Sequence, residues 1–265
     1  MPASPRPLLI EHAGPVARLR MNRPVLHNAF DADLVRVLTT ELQALADDDG
    51  IRVVVLEGAG ASFSAGADLH WMRAMAAASE DANREDALAL ARLMRSLDEL
   101  PKPTIARVHG AAFGGGVGLV ACCDIAIGVP EAKFGLSESR LGLLPAVISP
   151  YVVAAIGTRQ ARRWFASAET FDAAEAQRIG LLHAVVPADA LDGAVQRQVD
   201  LLLAAGPRAA ATAKALVRAA GAATDAGAID AANADLIARL RVSPEGQEGI
   251  AAFLDERRPA WAGRD

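Results

Sequence analysis

The sequence predicts an α/β protein in which an N-terminal core of strands and helices is followed by a helical C-terminal region. Short β-branched runs alternate with helical segments as far as Val129, an order typical of parallel sheets built from right-handed βαβ units. Beyond about Pro150 the strand patterns nearly vanish and helical patterns follow one another. A chain of 265 residues can bury a large core without disulfides or a structural metal.

In the first half of the chain, the elements follow in the order that a parallel sheet requires. Residues 8–10 and 16–20 alternate around a Gly-Pro turn and predict a β-hairpin. Asp31 or Asp33 is placed to cap the helix that follows. Three buried strands are predicted over residues 51–57, 104–108 and 124–129. The segments between them predict crossover helices, one over residues 80–100 and one of small residues that leads to Cys123.

The second half of the chain is predicted to be helical. The helical segments are residues 156–167, 172–179, 191–203, 207–220 and 244–254. We therefore divide the chain into an α/β core, residues 1–200, and a helical C-terminal region, residues 201–265.

Charge and cysteine content exclude several classes of protein. The net charge of -5 and the pI of about 5.6 argue against a nucleic-acid binder, which needs a basic surface. Cys122 and Cys123 are the only cysteines; neighbours rarely reach disulfide geometry, and no metal-ligand spacing is present. No segment is long and apolar enough for a membrane span. We expect a soluble cytoplasmic protein without a metal, a membrane or a nucleic-acid partner.

Two glycine-bearing loops, residues 62–68 and 110–116, each follow a predicted strand and lead into a helix. Ligands of open parallel sheets bind at the carboxyl ends of the strands, where these loops must lie. Glycine lets the backbone approach a ligand, and two such loops can supply two N–H donors to one oxyanion. The spacing alone fits phosphate binding or tight helix packing equally well. Neither a dinucleotide fingerprint nor a P-loop is present.

The motifs around these loops resemble those of enoyl-CoA hydratases of the crotonase superfamily. They occur in the same order and are Asn22-Arg-Pro24, Phe63-Ser-Ala-Gly-Ala-Asp68, Phe113-Gly-Gly-Gly116 through Cys123-Asp124, Lys133-Phe-Gly135 through Glu138, Leu141-Gly142, and the late Phe253 and Arg257. The resemblance implies a crotonase-like ββα spiral core with a helical C-terminal region. It also implies an acyl-CoA thioester substrate and no tightly bound cofactor, since CoA is part of that substrate.

The resemblance also implies roles for particular residues. Ala67 and Gly115 match the positions whose amides form the oxyanion hole, and Glu138 matches the second of two catalytic glutamates. Positions that line the bent CoA are matched by Leu26, Ala65, Asp68 and Leu69. Phe253 matches a residue that closes the CoA site, often from a neighbouring subunit. The family forms homotrimers or dimers of trimers, so residues 201–265 are expected to serve oligomerisation.

The sequence departs from the classical hydratase pattern at Gly118, where the first catalytic glutamate would stand. Gly118 lies three residues past Gly115, so we expect it to share the face of Gly115 and to point into the site. Three alternatives follow. Glu138 alone can serve as base and then as acid in hydration. It can shuttle a proton in a Δ3,Δ2-enoyl-CoA isomerase. The fold can also be a CoA-binding protein without efficient catalysis.

The wider motif favours the first alternative, because it resembles bacterial methylglutaconyl-CoA hydratases of leucine and acyclic terpenoid breakdown, which also carry glycine at this position. Such substrates are branched and carry a distal carboxylate. A glutamate at position 118 would repel that carboxylate in a low-dielectric site. Arg140, two residues after Glu138, is the cation that we expect to meet it, although a surface ion pair is the more ordinary role for such an arginine.

Overall fold

The computed structural model describes residues 6–222 and 225–262. Its strands are β1 (Leu8–Ala13), β2 (Val16–Met21), β3 (Val53–Gly58), β4 (Ser62–Ser64), β5 (Thr104–Val108), β6 (Ala111–Phe113), β7 (Ile125–Gly128), β8 (Lys133–Gly135), β9 (Thr170–Asp172) and β10 (Ala184–Val185). Its helices are α1 (Ala32–Asp47), α2 (Leu69–Ala76), α3 (Glu80–Asp98), α4 (Gly115–Cys122), α5 (Ser149–Ser167), α6 (Ala173–Arg178), α7 (Leu191–Ala204), α8 (Pro207–Ala222), α9 (Ala226–Val242) and α10 (Pro244–Leu254).

The strands form two sheets. The larger has the order β1-β2-β3-β5-β7-β10, and all its neighbours run parallel except the hairpin of β1 and β2. The smaller has the order β4-β6-β8-β9, and its last pair is antiparallel. Strand β3 is buried along its whole length, which explains why residues 53–56 are apolar without alternation.

A ββα unit occurs three times and forms the spiral core. β3, β5 and β7 belong to the large sheet, and each leads directly into a three-residue strand of the small sheet, β4, β6 or β8. Helices α2 and α3, α4, and α5 then complete the three units. The predicted crotonase-like α/β fold is therefore confirmed, and each glycine-bearing loop contains a strand of the small sheet and leads into a helix.

Most predicted elements are present. Asp31 is the residue that caps α1, because its Oδ1 accepts a hydrogen bond from Leu34 N–H at 2.8 Å. Helix α5 begins at Ser149, earlier than predicted, since Pro150 lies in the first turn, where its missing N–H costs nothing. Gly157 bends this helix with a φ of 75°. The short strands β4, β6 and β8 and helix α9 were not predicted.

The last helices are fixed to the core by buried cations. The Arg52 guanidinium, just before β3, donates to Leu203 O at 2.9 Å and Ala205 O at 2.7 Å at the end of α7, and to Trp261 O at 2.9 Å. Lys214 of α8 reaches Asp124 Oδ2 at 3.0 Å. The same Asp124 oxygen accepts from the N–H and hydroxyl of Thr104, both at 2.8 Å, which anchors the start of β5. The division at residue 200 stays a prediction.

Candidate active site

The first glycine-bearing loop fixes the direction of the Ala67 amide. The Phe30 N–H donates to Gly66 O at 2.6 Å, and the Asp68 N–H donates to Phe30 O at 2.8 Å. These two hydrogen bonds form a short parallel bridge between Phe30 and Ala67. Ala67 lies between Gly66 and Asp68, the two residues that bind Phe30, so its own N–H points away from Phe30. No acceptor for the Ala67 N–H is found in the described part of the chain, and Ala67 is exposed.

The second loop presents the Gly115 amide in a similar way. Gly115 is the first residue of α4, and amides in the first turn of a helix have no acceptor within the helix. The preceding Gly114 has a φ of 49°, a conformation that L side chains rarely adopt, and its N–H is bound to Gly135 O at 2.9 Å. Residues 6–222 and 225–262 offer the Gly115 N–H no acceptor. A Cβ on Gly115 would lie 2.9 Å from Phe30 Cε2, so this position also needs glycine for space.

The two loops and Glu138 meet at one point. A Cβ on Gly114 would lie 3.1 Å from Glu138 Oε1 and 3.9 Å from the Gly66 Cα. A Cβ on Gly66, whose φ is 85°, would lie 3.0 Å from Phe113 O. Only residues without side chains let the backbones and the carboxylate approach so closely. The structure therefore brings together Ala67, Gly115 and Glu138, three residues far apart in the sequence.

Glu138 is a half-buried carboxyl group with unused hydrogen-bonding capacity. It lies in a 3-10 turn, Ser137–Leu141, and its Oε2 is buried without a partner among the described residues. Burial raises the pKa of the Glu138 carboxyl above its ordinary value, and a hydrogen bond from its own backbone N–H opposes the shift only in part. A carboxyl group with a raised pKa can both accept and return a proton near neutral pH.

Asp68 stabilises the first loop from below. Its Oδ1 accepts from the N–H groups of His70 at 2.7 Å and Trp71 at 3.4 Å, so Asp68 caps the start of α2. Its Oδ2 lies 3.0 Å from the Arg23 guanidinium. Burial alone would raise the pKa of Asp68, but the two backbone N–H groups and Arg23 outweigh it and hold the pKa below its ordinary value.

Arg23 and Asn28 position the same loop, a role that the sequence analysis missed. The Arg23 guanidinium binds Asp31 at 2.7 Å as well as Asp68, and it also donates to Ala29 O. Asn28 is fully buried with a φ of 54°, and its side-chain amide donates to Ala59 O and Ser62 O, both at 2.8 Å. The Asn22-Arg-Pro24 motif could have indicated this positioning role. Its polar residues before a helix are not needed to pack the core, so another role was to be expected.

The residues matched to CoA-lining positions lie around this point but differ in exposure. Ala65 is exposed on the first loop, Leu26 in the 3-10 helix Pro24–Leu26 and Leu69 at the start of α2. The Asp68 carboxylate is instead turned inwards to its internal partners. Phe253 on α10 is 83% exposed, which is unusual for a large apolar side chain. Their contacts with CoA stay predictions.

Arg140 is exposed on the same 3-10 turn as Glu138. Its side chain forms no ion pair or hydrogen bond with any residue that the structure describes. The surface ion pair that would be its more ordinary role is therefore not found within that part of the chain.

The surroundings of Gly118 are a feature that the sequence did not reveal. A side chain at position 118 was expected to point into the site, which stays a prediction, and a Cβ there would lie 2.4 Å from Ile148 Cγ2 and 3.3 Å from Met94 Cε. Gly118 therefore borders buried apolar side chains rather than open space. Helical spacing from Gly115 contained no information on the side chain that Ile148, the residue before α5, places there.

Other chemistry is not indicated by the described residues. No group of three or more His, Cys, Asp or Glu side chains among them could hold a metal ion. Within the same ranges no helix is long and apolar enough to cross a membrane. Cys122 and Cys123 are buried and form no disulfide, and burial raises the pKa of the Cys123 thiol to about 12, too high for a nucleophile at neutral pH.

Comparison with known proteins identifies the class. The family model for enoyl-CoA hydratase/isomerase matches residues 11–264, so the chain belongs to this family and is an enzyme of the enoyl-CoA hydratase/isomerase type. A crystal structure of an enoyl-CoA hydratase from Shewanella pealeana is 43% identical, covers 96% of both chains and has a TM-score of 0.93.

Two further proteins are similar over nearly their whole length. The structure of Pseudomonas aeruginosa AtuE is 39% identical and has a TM-score of 0.94, with coverage of 97% of this chain and 100% of that one. The 2,3-dehydroadipyl-CoA hydratase of Escherichia coli is 33% identical over 267 residues, with coverage of 97% and 99%. These similarities confirm the predicted fold and enzyme class.

Proposed function

We propose that the protein adds water across the α,β double bond of a branched or carboxylated enoyl-CoA, such as 3-methylglutaconyl-CoA, with Glu138 as its sole carboxylate acid and base. The observation that carries this proposal is the meeting, at a single point, of one half-buried carboxyl group and two amides that have no acceptor among the described residues. Family membership and the hydratases among the relatives support hydration as the reaction type.

The Ala67 and Gly115 amides form the oxyanion hole in this proposal. Both N–H groups are fixed by the backbone around them and neither is used inside the described chain. A thioester oxygen that becomes an enolate gains negative charge as water adds to the β-carbon. Preorganised N–H donors stabilise that charge without reorganisation, and one such donor contributes about a hundred-fold to a thousand-fold in rate.

Glu138 carries the proton in both steps. As the water oxygen bonds to the β-carbon, the Glu138 carboxylate takes a proton from the water, and the electron pair of the double bond moves towards the thioester oxygen. The enolate then collapses, and the Glu138 carboxyl group returns that proton to the α-carbon. One water molecule is added and the enzyme ends in its starting state. Burial of Glu138, which raises its pKa, suits both halves of this cycle.

Arg140 is proposed to bind the distal carboxylate of the substrate. Its guanidinium is exposed, lies on the same turn as Glu138 and has no partner among the described residues. A guanidinium recognises a carboxylate through two parallel hydrogen bonds. The E. coli relative is named for 2,3-dehydroadipyl-CoA, a thioester with a free carboxylate, and the motif around Glu138 resembles that of methylglutaconyl-CoA hydratases. A role in leucine breakdown belongs to the same proposal.

The test of the substrate class compares carboxylated and plain enoyl thioesters. We expect kcat/KM for 3-methylglutaconyl-CoA to exceed that for crotonyl-CoA, and Arg140→Ala to lower the first about ten-fold or more while it leaves the second nearly unchanged. Loss of absorbance of the conjugated enoyl thioester measures both. An exposed arginine with an ion-pair partner, as in Arg163→Ala, is the matched control. If Arg140→Ala leaves the preference intact, Arg140 has no part in recognition.

Two alternatives stay open and the same assay separates them. A Δ3,Δ2-enoyl-CoA isomerase needs only one carboxylate, and the lone Glu138 favours it as the second candidate. It would convert a 3-enoyl-CoA into a 2-enoyl-CoA without formation of a hydroxyacyl product. A CoA-binding protein without catalysis would show neither reaction, and Glu138→Gln would then change nothing.

Assembly into a homotrimer or a dimer of trimers is proposed from the family resemblance. Apolar side chains exposed on the last helices support it, Phe253 and its neighbour Leu254 most clearly, because exposed apolar patches mark protein contacts. Sedimentation equilibrium of the purified protein gives the subunit number, and a monomer at micromolar concentration would contradict the proposal.

A further inference from the structure

Helices α4 and α5 are interlocked through a residue pair of unequal size, Gly118 and Ile148. Gly118 is buried in α4, and Ile148, which is 3% exposed, caps the start of α5. The Ile148 side chain occupies the volume that the first atoms of a side chain at position 118 would need, with its Cγ2 2.4 Å and its Cβ 2.9 Å from an ideal Cβ there. We call Gly118 and Ile148 the interlock.

The contact is with a branched atom near the backbone, so a side-chain rotation cannot relieve it easily. Separations below 3.0 Å from a Cβ are essentially absent from real proteins, and here both Cβ and Cγ2 of Ile148 fall below this distance. Met94 Cε closes the space from α3 at 3.3 Å. A core this tightly filled does not accept even one added carbon without a shift of backbone or side chains.

We infer that Ile148 is a specificity-determining residue that restricts this enzyme to a single carboxylate. The inference rests on the proposed function and extends it. The sequence shows that a carboxylate is missing at position 118, and the structure shows that its place is filled. A glutamate restored at position 118 alone would have to displace Ile148, whose apolar side chain can neither give nor take a proton.

A consequence follows for the chemistry beside the oxyanion hole. Gly118 lies one helical turn beyond Gly115, and Ile148 lines that turn with hydrocarbon. The three atoms nearest to a Cβ at position 118 belong to Ile148 and Met94, and none of them can activate or hold water. The single-carboxylate reaction thus depends on two positions from different helices, and a change in reaction type requires both to change.

The first experiment measures the interlock without any reference to catalysis. We expect Gly118→Ala to lower Tm by on the order of 5 °C, and we expect Ile148→Ala, which is destabilising by itself, to remove most of that loss in the double variant. Gly221→Ala is the matched glycine control, because nothing lies within 4 Å of a Cβ at that helical position. Ile51→Ala, at the same 3% exposure, is the matched isoleucine control and should be additive with Gly118→Ala.

The second experiment tests the effect on the reaction. We expect Gly118→Glu alone to be poorly folded or no faster than wild type with crotonyl-CoA. The double variant Gly118→Glu/Ile148→Ala should hydrate crotonyl-CoA at least ten-fold faster than Gly118→Glu, with one additional ionisation in the pH profile of kcat/KM. Gly118→Gln/Ile148→Ala has the same shape without the charge and should show neither change.

The outcomes test the steric contact of the interlock and its effect on the reaction separately. Additive Tm losses for Gly118→Ala and Ile148→Ala would overturn the interlock, as would a Gly118→Glu variant that is stable and hydrates crotonyl-CoA faster than wild type. A double variant Gly118→Glu/Ile148→Ala that folds but gains no activity would overturn the specificity role alone. Wild-type protein without hydratase activity on any enoyl-CoA would refute the proposed function, while the Tm cycle would still decide the interlock.

Discussion

Removal of the Arg23 side chain is the sharpest test of how the candidate site is built. Arg23 is 15% exposed and joins Asp31, Asp68 and Ala29 O, so Arg23→Ala leaves the Asp68 carboxylate, 6% exposed, without its cation. Breaking a buried ion pair in this way costs about 3–5 kcal/mol, and the partial exposure of Asp31 places this case towards the lower end, at about 3 kcal/mol. For a chain of this length that corresponds to a Tm lowered by roughly 6–12 °C.

The same variant should be impaired in catalysis even where it is fully folded. Asp68 N–H and Phe30 hold the bridge from which the Ala67 amide projects, and Arg23 fixes the Asp68 side chain. A displacement of about 1 Å in a catalytic group can cost a hundred-fold in rate, so we expect kcat to fall by about ten- to a hundred-fold. Scanning calorimetry and an enoyl-CoA hydration assay measure the two effects.

Arg36→Ala is the control, because Arg36 forms an exposed ion pair with Asp33 on the same part of the chain. Exposed pairs contribute little, so its Tm should stay within about 2 °C of wild type. The dependence of Tm on pH in the acid range gives a further check. The pKa of Asp68 is held low in the folded state, so its stabilisation is present above about pH 4 and is lost as the pH falls through the folded pKa; Arg23→Ala should weaken this dependence. Equal Tm values for Arg23→Ala and Arg36→Ala would refute the reasoning.

Three further predictions concern the site and the attachment of the last helices. Glu138→Gln should abolish hydration, and it should raise Tm near pH 7 but not near pH 4. The pKa of Glu138 is raised in the folded state, so the group stabilises the fold at low pH, and this stabilisation is lost as the pH rises through the folded pKa. A difference in Tm between wild type and variant that is the same at both pH values would contradict this. Gly115→Pro should lower kcat about a hundred-fold or more, because it removes an N–H donor. Gly115→Ala keeps the donor but presses on Phe30, so it measures the steric effect alone. Equal rates for the two variants would remove the Gly115 amide from the mechanism. Arg52→Ala should lower Tm by about 4–12 °C, because the carbonyl groups of Leu203, Ala205 and Trp261 lose a charged donor. A Tm within about 2 °C of wild type would show that these hydrogen bonds do not stabilise the last helices.

The strands of the large sheet could be predicted from the sequence because burial on both faces requires a continuous apolar run. Residues 104–108 were predicted at the bounds of β5, and the run before Gly58 became β3. The small sheet was not readable, because a three-residue strand such as β4 or β6 contains less than two periods of alternation. These strands exist because the chain brings them into register with one another across long sequence separations.

At the site, close approach of the main chain was the feature predicted most successfully. Glycine at 66, 114 and 115 indicates close approach of the main chain, and the structure shows that approach in each case. Arg23 and Asn28 were missed because their partners, Asp68 and the carbonyls of residues 59 and 62, lie more than thirty residues away in the sequence. The contact between Gly118 and Ile148 was missed for a similar reason.

By itself the sequence determined the order of strands and helices, the two glycine-bearing loops and the absence of a carboxylate at position 118. These features follow from local chemistry: apolar periodicity, the freedom of glycine and the identity of one residue. Only the tertiary structure decided that the amides of Ala67 and Gly115 remain unpaired beside Glu138, and that Ile148 fills the place next to Gly118. Hydrogen-bond satisfaction and steric exclusion depend on which distant side chains and carbonyls meet, and that is a property of the packed chain.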